Sequence, residues 1–189
     1  IGSYENGTPN TLVDVVFYID GSTIDEASLA DQIDAYKNWL TSRGLNANVI
    51  VREVASVADM EAEVNATAGL RADARKYAFL VTNNALTDPE ELDDLREALA
   101  EQEMDASVIT DSATGWLSLI RKTDGSTYSL TDFSSTDSEV YTKLVNAMAR
   151  DTNADIGDIP SSLNIVSDIK ARLNALVSVM LREINYLHT

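Results

Sequence analysis

The sequence predicts an α/β protein: a three-layer, doubly wound, mainly parallel sheet flanked by helices, followed by a long C-terminal amphipathic helix. Two features predict it. The runs Val15-Val-Phe-Tyr-Ile19, Val49-Ile-Val51 and Tyr77-Ala-Phe-Leu-Val81 are apolar without alternation, as in strands buried on both faces. Apolar residues at helical spacing separate them, and strict strand–helix alternation builds a parallel sheet covered on both sides.

The elements follow in order. Ile1 to Asn10, rich in Gly, Ser, Asn and Thr, reads as a linker. Thr11 to Asp20 is the first strand. Leu29, Ile33, Tyr36 and Leu40 then recur at helical spacing, and Arg43-Gly44 closes that helix. Asn48 to Val54 is a second strand, and Val57, Met60, Val64 and Ala68 form a second helical stripe. Lys76 to Thr82 is a third strand. Asp88-Pro89-Glu90-Glu91 supplies an N-cap, a proline at the first helical position and early acids, a strong helix start for Leu92, Leu95 and Leu99. Ala106 to Thr110 is a fourth strand, Trp116, Leu119 and Ile120 a short helix, and Gly125 to Leu130 an edge strand. Val140, Leu144 and Met148 mark a helix that starts near Thr136-Asp137. The expected organisation is a linker over 1–10, an α/β domain over 11–150, a polar linker over 151–162 with Gly157 and Pro160, and a helix over 163–189. In that helix Val166, Ile169, Leu173, Leu176, Met180, Ile184 and Leu187 recur by threes and fours, close to a heptad stripe, and are the expected interaction surface.

Composition narrows the function. A 44% hydrophobic fraction over 189 residues is enough for a core. Thirty-one acidic against 14 basic side chains give a formal charge of −17. That balance excludes nucleic acid, whose phosphates need a basic surface, and docking on anionic membranes. It favours divalent cations or basic partners. There is no cysteine, so disulfides, thiolate metal sites and cysteine nucleophiles are excluded. The lone histidine is His188, the penultimate residue, which leaves a Ser-His-Asp triad without a base inside the domain. No run of 18 apolar residues exists, so no membrane insertion is expected. No Gly-x-Gly-x-x-Gly, phosphate loop or Gly-x-Ser-x-Gly elbow occurs. The expectation is a protein without enzymatic activity. The start at Ile1 reads as a processed or excised piece of a longer chain.

In such sheets ligands bind beyond the carboxyl ends of the strands. That places Asp20 to Ile24, Thr82 to Asp88 and Thr110 to Thr114 on one rim. Asp20-Gly-Ser22 aims a carboxylate and a hydroxyl at one point, and such hard oxygen ligands suit Mg2+, Ca2+ or Mn2+. The same residues also read as a turn and helix cap. Asn83-Asn84 reads as a turn pair and Trp39 and Trp116 as packed side chains. Asn6-Gly-Thr8 and Asn65-Ala-Thr67 match the glycosylation sequon, a pattern that arises often by chance.

Asp14-Val-Val-Phe-Tyr-Ile-Asp20-Gly-Ser22 resembles the first strand of von Willebrand factor A (integrin I-like) domains, which continues into an Asp-x-Ser-x-Ser metal-ion-dependent adhesion site. Tyr77 to Asp88 is similar to that family's fourth strand, Met104 to Thr110 to its fifth, and Trp116 to Phe133 to its last helix-to-strand passage. The resemblance covers roughly residues 11–150 and is compatible with a Rossmann-like sheet. It implies metal ligands at Asp20, Ser22, Thr67 and Asn83. Two positions depart from the pattern: Ile24 stands where the family has its second Ser, and neutral Asn83 where it has an acid. The family's antiparallel edge strand is expected to be missing or reduced. With Asp20 the one motif carboxylate, the expected cofactor is none, or a Mg2+ or Ca2+ held in the roughly 10⁻⁴–10⁻³ M class. Asp25, Asp88 and Asp111 are candidates to assist through water.

The expected function is a non-enzymatic protein-interaction or structural module of a surface or particle assembly, with a degenerate metal site. Its expected partners are another protein or a second copy of itself, and its expected location extracellular, on a cell surface or on a virion or other particle. The alternatives are a Mg2+- or Ca2+-dependent adhesion domain that binds a partner's carboxylate, and a small-molecule-binding or enzymatic doubly wound domain.

Overall fold

Burial on two faces at once decides where the first long strand goes. The structure, a computed structural model, describes residues 4–5, 8–9, 11–123, 125–155 and 173–184. A small antiparallel hairpin, β1 (Tyr4–Glu5) and β2 (Thr8–Pro9), opens the chain, inside the segment read as a linker. β3 (Leu12–Asp20) then enters the middle of a five-stranded sheet. Val13, Val15, Phe17 and Ile19 face one core, and Val16 and Tyr18 face the other. That is why the run lacks alternation.

α1 (Ala30–Ser42) follows, then β4 (Asn46–Val54), α2 (Met60–Ala66), β5 (Arg75–Val81), α3 (Pro89–Glu101), β6 (Met104–Ile109), α4 (Trp116–Lys122) and β7 (Thr127–Tyr128). α5 (Leu130–Phe133) and α6 (Ser138–Asp155) complete the domain. The sheet order is β4-β3-β5-β6-β7, with every pair parallel. The five-stranded sheet has no antiparallel edge strand, and the α/β doubly wound fold expected from the sequence is present.

α1 and α6 cover one face. There Phe17 stacks on Phe79 at 4.9 Å and meets Tyr36 edge-on at 5.5 Å. α2, α3 and α4 cover the other, around Leu80, Leu99 and the fully buried Trp116. The chain leaves β3 for one neighbour and returns to β5 on the other side. β3 and β5 therefore flank the topological switch point.

Several elements differ from their sequence reading. β7 is two residues long, because Ser129 leaves the strand and its hydroxyl caps α5, accepting from the Asp132 amide at 3.2 Å. α2 is shorter than its stripe: a 3-10 turn over Val57–Asp59 precedes it, and Thr67 turns to extended backbone before Ala68. On α6 the buried apolar residues are Val145, Met148 and Ala149, whereas Val140 is exposed. α6 also runs past residue 150. Thr152 is fully buried on it, where it accepts a hydrogen bond from the Tyr36 hydroxyl at 2.9 Å.

Beyond the domain, residues 173–184 form a further helix, α7, every residue of which is exposed. Of the linker expected over 151–162, residues 151–155 are instead the end of α6; residues 156–162, and Val166, Ile169 and Leu187, lie outside the described residues. Among the described residues no helix is long and apolar enough to cross a membrane.

Candidate functional site

The rim forms where β3, β5 and β6 end. Asp20, the last residue of β3, is fully buried. Its Oδ1 accepts from the Ser22 hydroxyl at 2.6 Å and the Ser22 amide at 3.1 Å. Its Oδ2 accepts from the Thr82 hydroxyl at 2.7 Å and the Asn84 side-chain amide at 3.2 Å. A buried carboxylate is costly unless its oxygens are satisfied, and here four neutral donors satisfy them. No Lys or Arg among the described ion pairs reaches it.

Local sequence explains the convergence. Gly21 donates its amide to the Val54 carbonyl at 2.8 Å, so the turn stays attached to β4. Thr23 and Ile24 amides return to the Asp20 carbonyl at 3.0 and 3.2 Å, which closes the turn and swings Ile24 inward. Ile24 packs partly buried on the core beneath α1. Its side chain thus serves packing at the position where the resembled family has a ligand.

Across the switch point, Thr82 holds the loop by accepting from the Asn84 amide at 3.0 Å. Asn84 passes its own carbonyl to the Trp116 indole N–H at 2.8 Å. Gly115 permits this approach: its φ is +82°, and a Cβ there would lie 1.6 Å from the Leu86 carbonyl oxygen. Asn83 faces elsewhere. Its amide donates to the Thr23 hydroxyl at 3.2 Å, and its Oδ1 accepts from the Asp111 amide at 3.3 Å. The residue opposite Asp20 is therefore Asn84 and not Asn83. Thr82 and Asn84, placed on the rim by the sequence but not among its expected ligands, are the residues that bond Asp20 from β5.

Of the expected ligands, Asp20, Ser22 and Asn83 share the rim, and Thr67 does not join their network. Thr67 is bonded to the Tyr18 hydroxyl at 2.6 Å and donates to the Glu63 carbonyl at 2.8 Å, as part of the end of α2. The three assisting acids are also engaged. Asp25 accepts from the Ala27 amide at 3.1 Å, and Asp88 caps α3 by accepting from the Glu90 amide at 2.9 Å. Asp111 receives the Thr131 hydroxyl at 2.6 Å, the Thr131 amide at 3.0 Å and the Ser129 hydroxyl at 3.2 Å. Burial pushes the Asp111 carboxyl up, but those hydrogen bonds outweigh it and hold it below the usual carboxylate range.

Beside the turn, the Glu53 carboxyl lies against Gly21, close to the Glu26 carboxyl. Burial, the neighbouring Glu53 carboxyl and the Asp25 charge push Glu26 above its ordinary value. Among the described residues no group of three or more His, Cys, Asp or Glu side chains is arranged to hold a metal ion. The donor set at the switch point is one carboxylate with both oxygens engaged, two hydroxyls and an amide. It does not reproduce the ligand set that the family resemblance implies. Chemically it can join the ends of β3 and β5 without a cation. No protein-family model matches the chain and no curated protein matches it as a relative, so the chemistry of this rim rests on its own geometry.

Proposed function

We propose that this chain is a non-enzymatic protein-interaction or structural module, similar to von Willebrand factor A domains in its first strand, in which the rim fastens the sheet instead of gripping a metal. The observation that carries this reading is the closure of Asp20. Its two oxygens receive the Ser22 hydroxyl and amide, the Thr82 hydroxyl and the Asn84 amide, and Ile24 packs into the core. A divalent ion would have to break those bonds and would gain one carboxylate, whereas the affinity of oxygen sites follows their ligand charge. Supporting the interaction half of the reading, α7 leaves an apolar stripe uncovered, and stripes of that kind mark association surfaces.

The test is calorimetric titration of Mg2+, Ca2+ and Mn2+ into metal-free wild type and Asp20→Ala. The expected result is no binding tighter than about 10⁻⁴ M in either protein. Micromolar binding lost in Asp20→Ala would overturn the reading in favour of a metal-dependent adhesion site that takes a partner's carboxylate. Binding at the rim by a small organic ligand, seen as a thermal shift absent from Asp20→Ala, would overturn it in favour of a small-molecule site.

A further inference from the structure

We infer that α7 pairs in parallel with α7 of a second copy of this chain, forming a two-stranded seam. This deepens the interaction half of the proposed function and rests on it.

The pattern of exposed side chains carries the inference. Leu173, Val177, Met180 and Ile184 follow one another by four, three and four residues, and each is between 47% and 55% exposed. That is an unbroken heptad. Its β-branched members, Val177 and Ile184, share one core position, and its unbranched members, Leu173 and Met180, share the other. β-Branched residues at a with Leu-type residues at d favour two parallel strands. Leu176 and Leu181 flank the seam on its two sides, five residues apart. In a parallel pair, that interval brings the flanking residue of one strand against that of the other, so these exposed leucines cover each other too. Asn174 shares the flanking position of Leu181, and Ser178 and Arg182 lie on the remaining side, where Val179 is the one exposed large apolar residue of α7 outside the seam and its flanks.

Other occupants fit less well. Outside α7, the exposed large apolar side chains among the described residues are Leu117 and Val140, too few for the domain of either copy to receive a stripe more than three turns long. A lipid surface calls for a polar face rich in cations. Here that face carries Arg182 alone, beside a domain with 27 acidic and 11 basic residues between positions 11 and 155. Within α7, Arg182 and Glu183 cancel, so pairing the helices brings no net charge together. Most helix stability comes from packing an amphipathic face and not from propensity, and burial of the α7 stripe against a copy supplies that packing.

The absence of native cysteine makes the register directly readable. In the full chain, Ile184→Cys is expected to cross-link under mild oxidation into a species of twice the 20.6 kDa chain mass, whereas Ser178→Cys, on the polar side, stays monomeric. Sedimentation of the unaltered chain should give a dimer that Met180→Ser converts to monomer, with the near-ultraviolet dichroism of the domain unchanged. A wild-type monomer at every concentration overturns the inference. So does Ile184→Cys that fails to cross-link, equal cross-linking of Ser178→Cys, or a larger assembly. None of these outcomes touches the metal titration at Asp20, so the two readings fail separately.

Discussion

Asp14 and Asp20 sit on the same strand, both fully buried, and their charges are met in opposite ways. Asp20 has only neutral donors. Asp14, near the other end of β3, is paired with Arg71. The Arg71 amide donates to Oδ2 at 2.6 Å and its Nε to Oδ1 at 2.8 Å. The rest of the guanidinium donates to the Val13 and Asn46 carbonyls, each at 2.9 Å. One side chain thus ties the loop before β5 to β3 and β4. Removing one partner of a buried pair strands the other charge, which costs about 3–5 kcal/mol. Arg71→Ala is expected to lose that much in urea unfolding. Arg71→Lys should recover little, because a point charge cannot serve three acceptors with planar geometry. A loss under about 1 kcal/mol would mean that water replaces the guanidinium without strain. The sequence made part of this residue-level picture legible. Asp20 and Ser22 stand out because a buried strand ends in an Asp-x-Ser turn. Asn84 does not, because one residue of phase beyond β5 decides which of two adjacent asparagines points inward, and composition carries no phase. The Asp14–Arg71 pair spans 57 positions and has no local signature.

Between elements, tyrosine hydroxyls act as ties. Tyr36 joins α1 to α6 through Thr152, and Tyr128 joins β7 to Asp151 of α6 at 2.7 Å. Tyr18 joins β3 to Thr67, and Tyr77 bonds Ser107 of the neighbouring strand at 2.6 Å. Burial, opposed by the Thr67 hydrogen bond, pushes Tyr18 up to about 12; burial raises Tyr36 and Tyr128 as well. An unfolded tyrosine ionises near pH 10. Above that pH the unfolded chain sheds protons that the folded chain keeps. Stability is therefore fully present below pH 10 and falls as pH rises through 12. The midpoint of urea unfolding should drop steeply between pH 10 and 12. Tyr18→Phe, though less stable at neutral pH for want of the Thr67 bond, should show a shallower drop, and an unchanged slope would remove Tyr18 as a source. These ties also explain what element boundaries hid. Thr152 looks like linker by composition, yet it is buried because Tyr36 supplies a partner from 116 residues away. Long runs such as Val15 to Ile19 were legible because apolar content alone decides them. Two-residue β7 was not, because the Ser129 cap competes with the strand over the same few residues.

At the scale of the whole molecule, charge is distributed unevenly over the two helical layers. α2, α3 and α4 together carry eight acids against three bases, Arg96, Arg121 and Lys122, whereas α1 and α6 carry five acids against three bases. α1, α2, α3, α5 and α6 all lack a basic residue in the last turn, where a cation would complement the helix dipole. Attractive pairs are sparse in return. Of the described ion pairs, Arg71–Asp14 is short, whereas Arg52–Glu63 and Arg96–Asp93 stand at 3.8 Å and are largely exposed, and such pairs contribute little. Repulsion among exposed carboxylates thus outweighs surface attraction, and salt should relieve it. Thermal unfolding is expected to move upward between about 0.05 and 1 M NaCl, as the screening length falls from above 10 Å to about 3 Å. Glu101→Lys, in the last turn of α3, locates the effect. It removes an acid from the crowded layer and places a cation on the negative helix end. It should gain about 0.5–1 kcal/mol at low salt and lose most of that gain at 1 M. The same screening should tighten any pairing of copies through α7, because two domains of like charge are held near one another when their helices meet. A melting temperature that is flat or falls with salt would show that the acidic surface is already neutralised by bound cations, and would send the search for a divalent ion back to the carboxyl pair of Glu26 and Glu53.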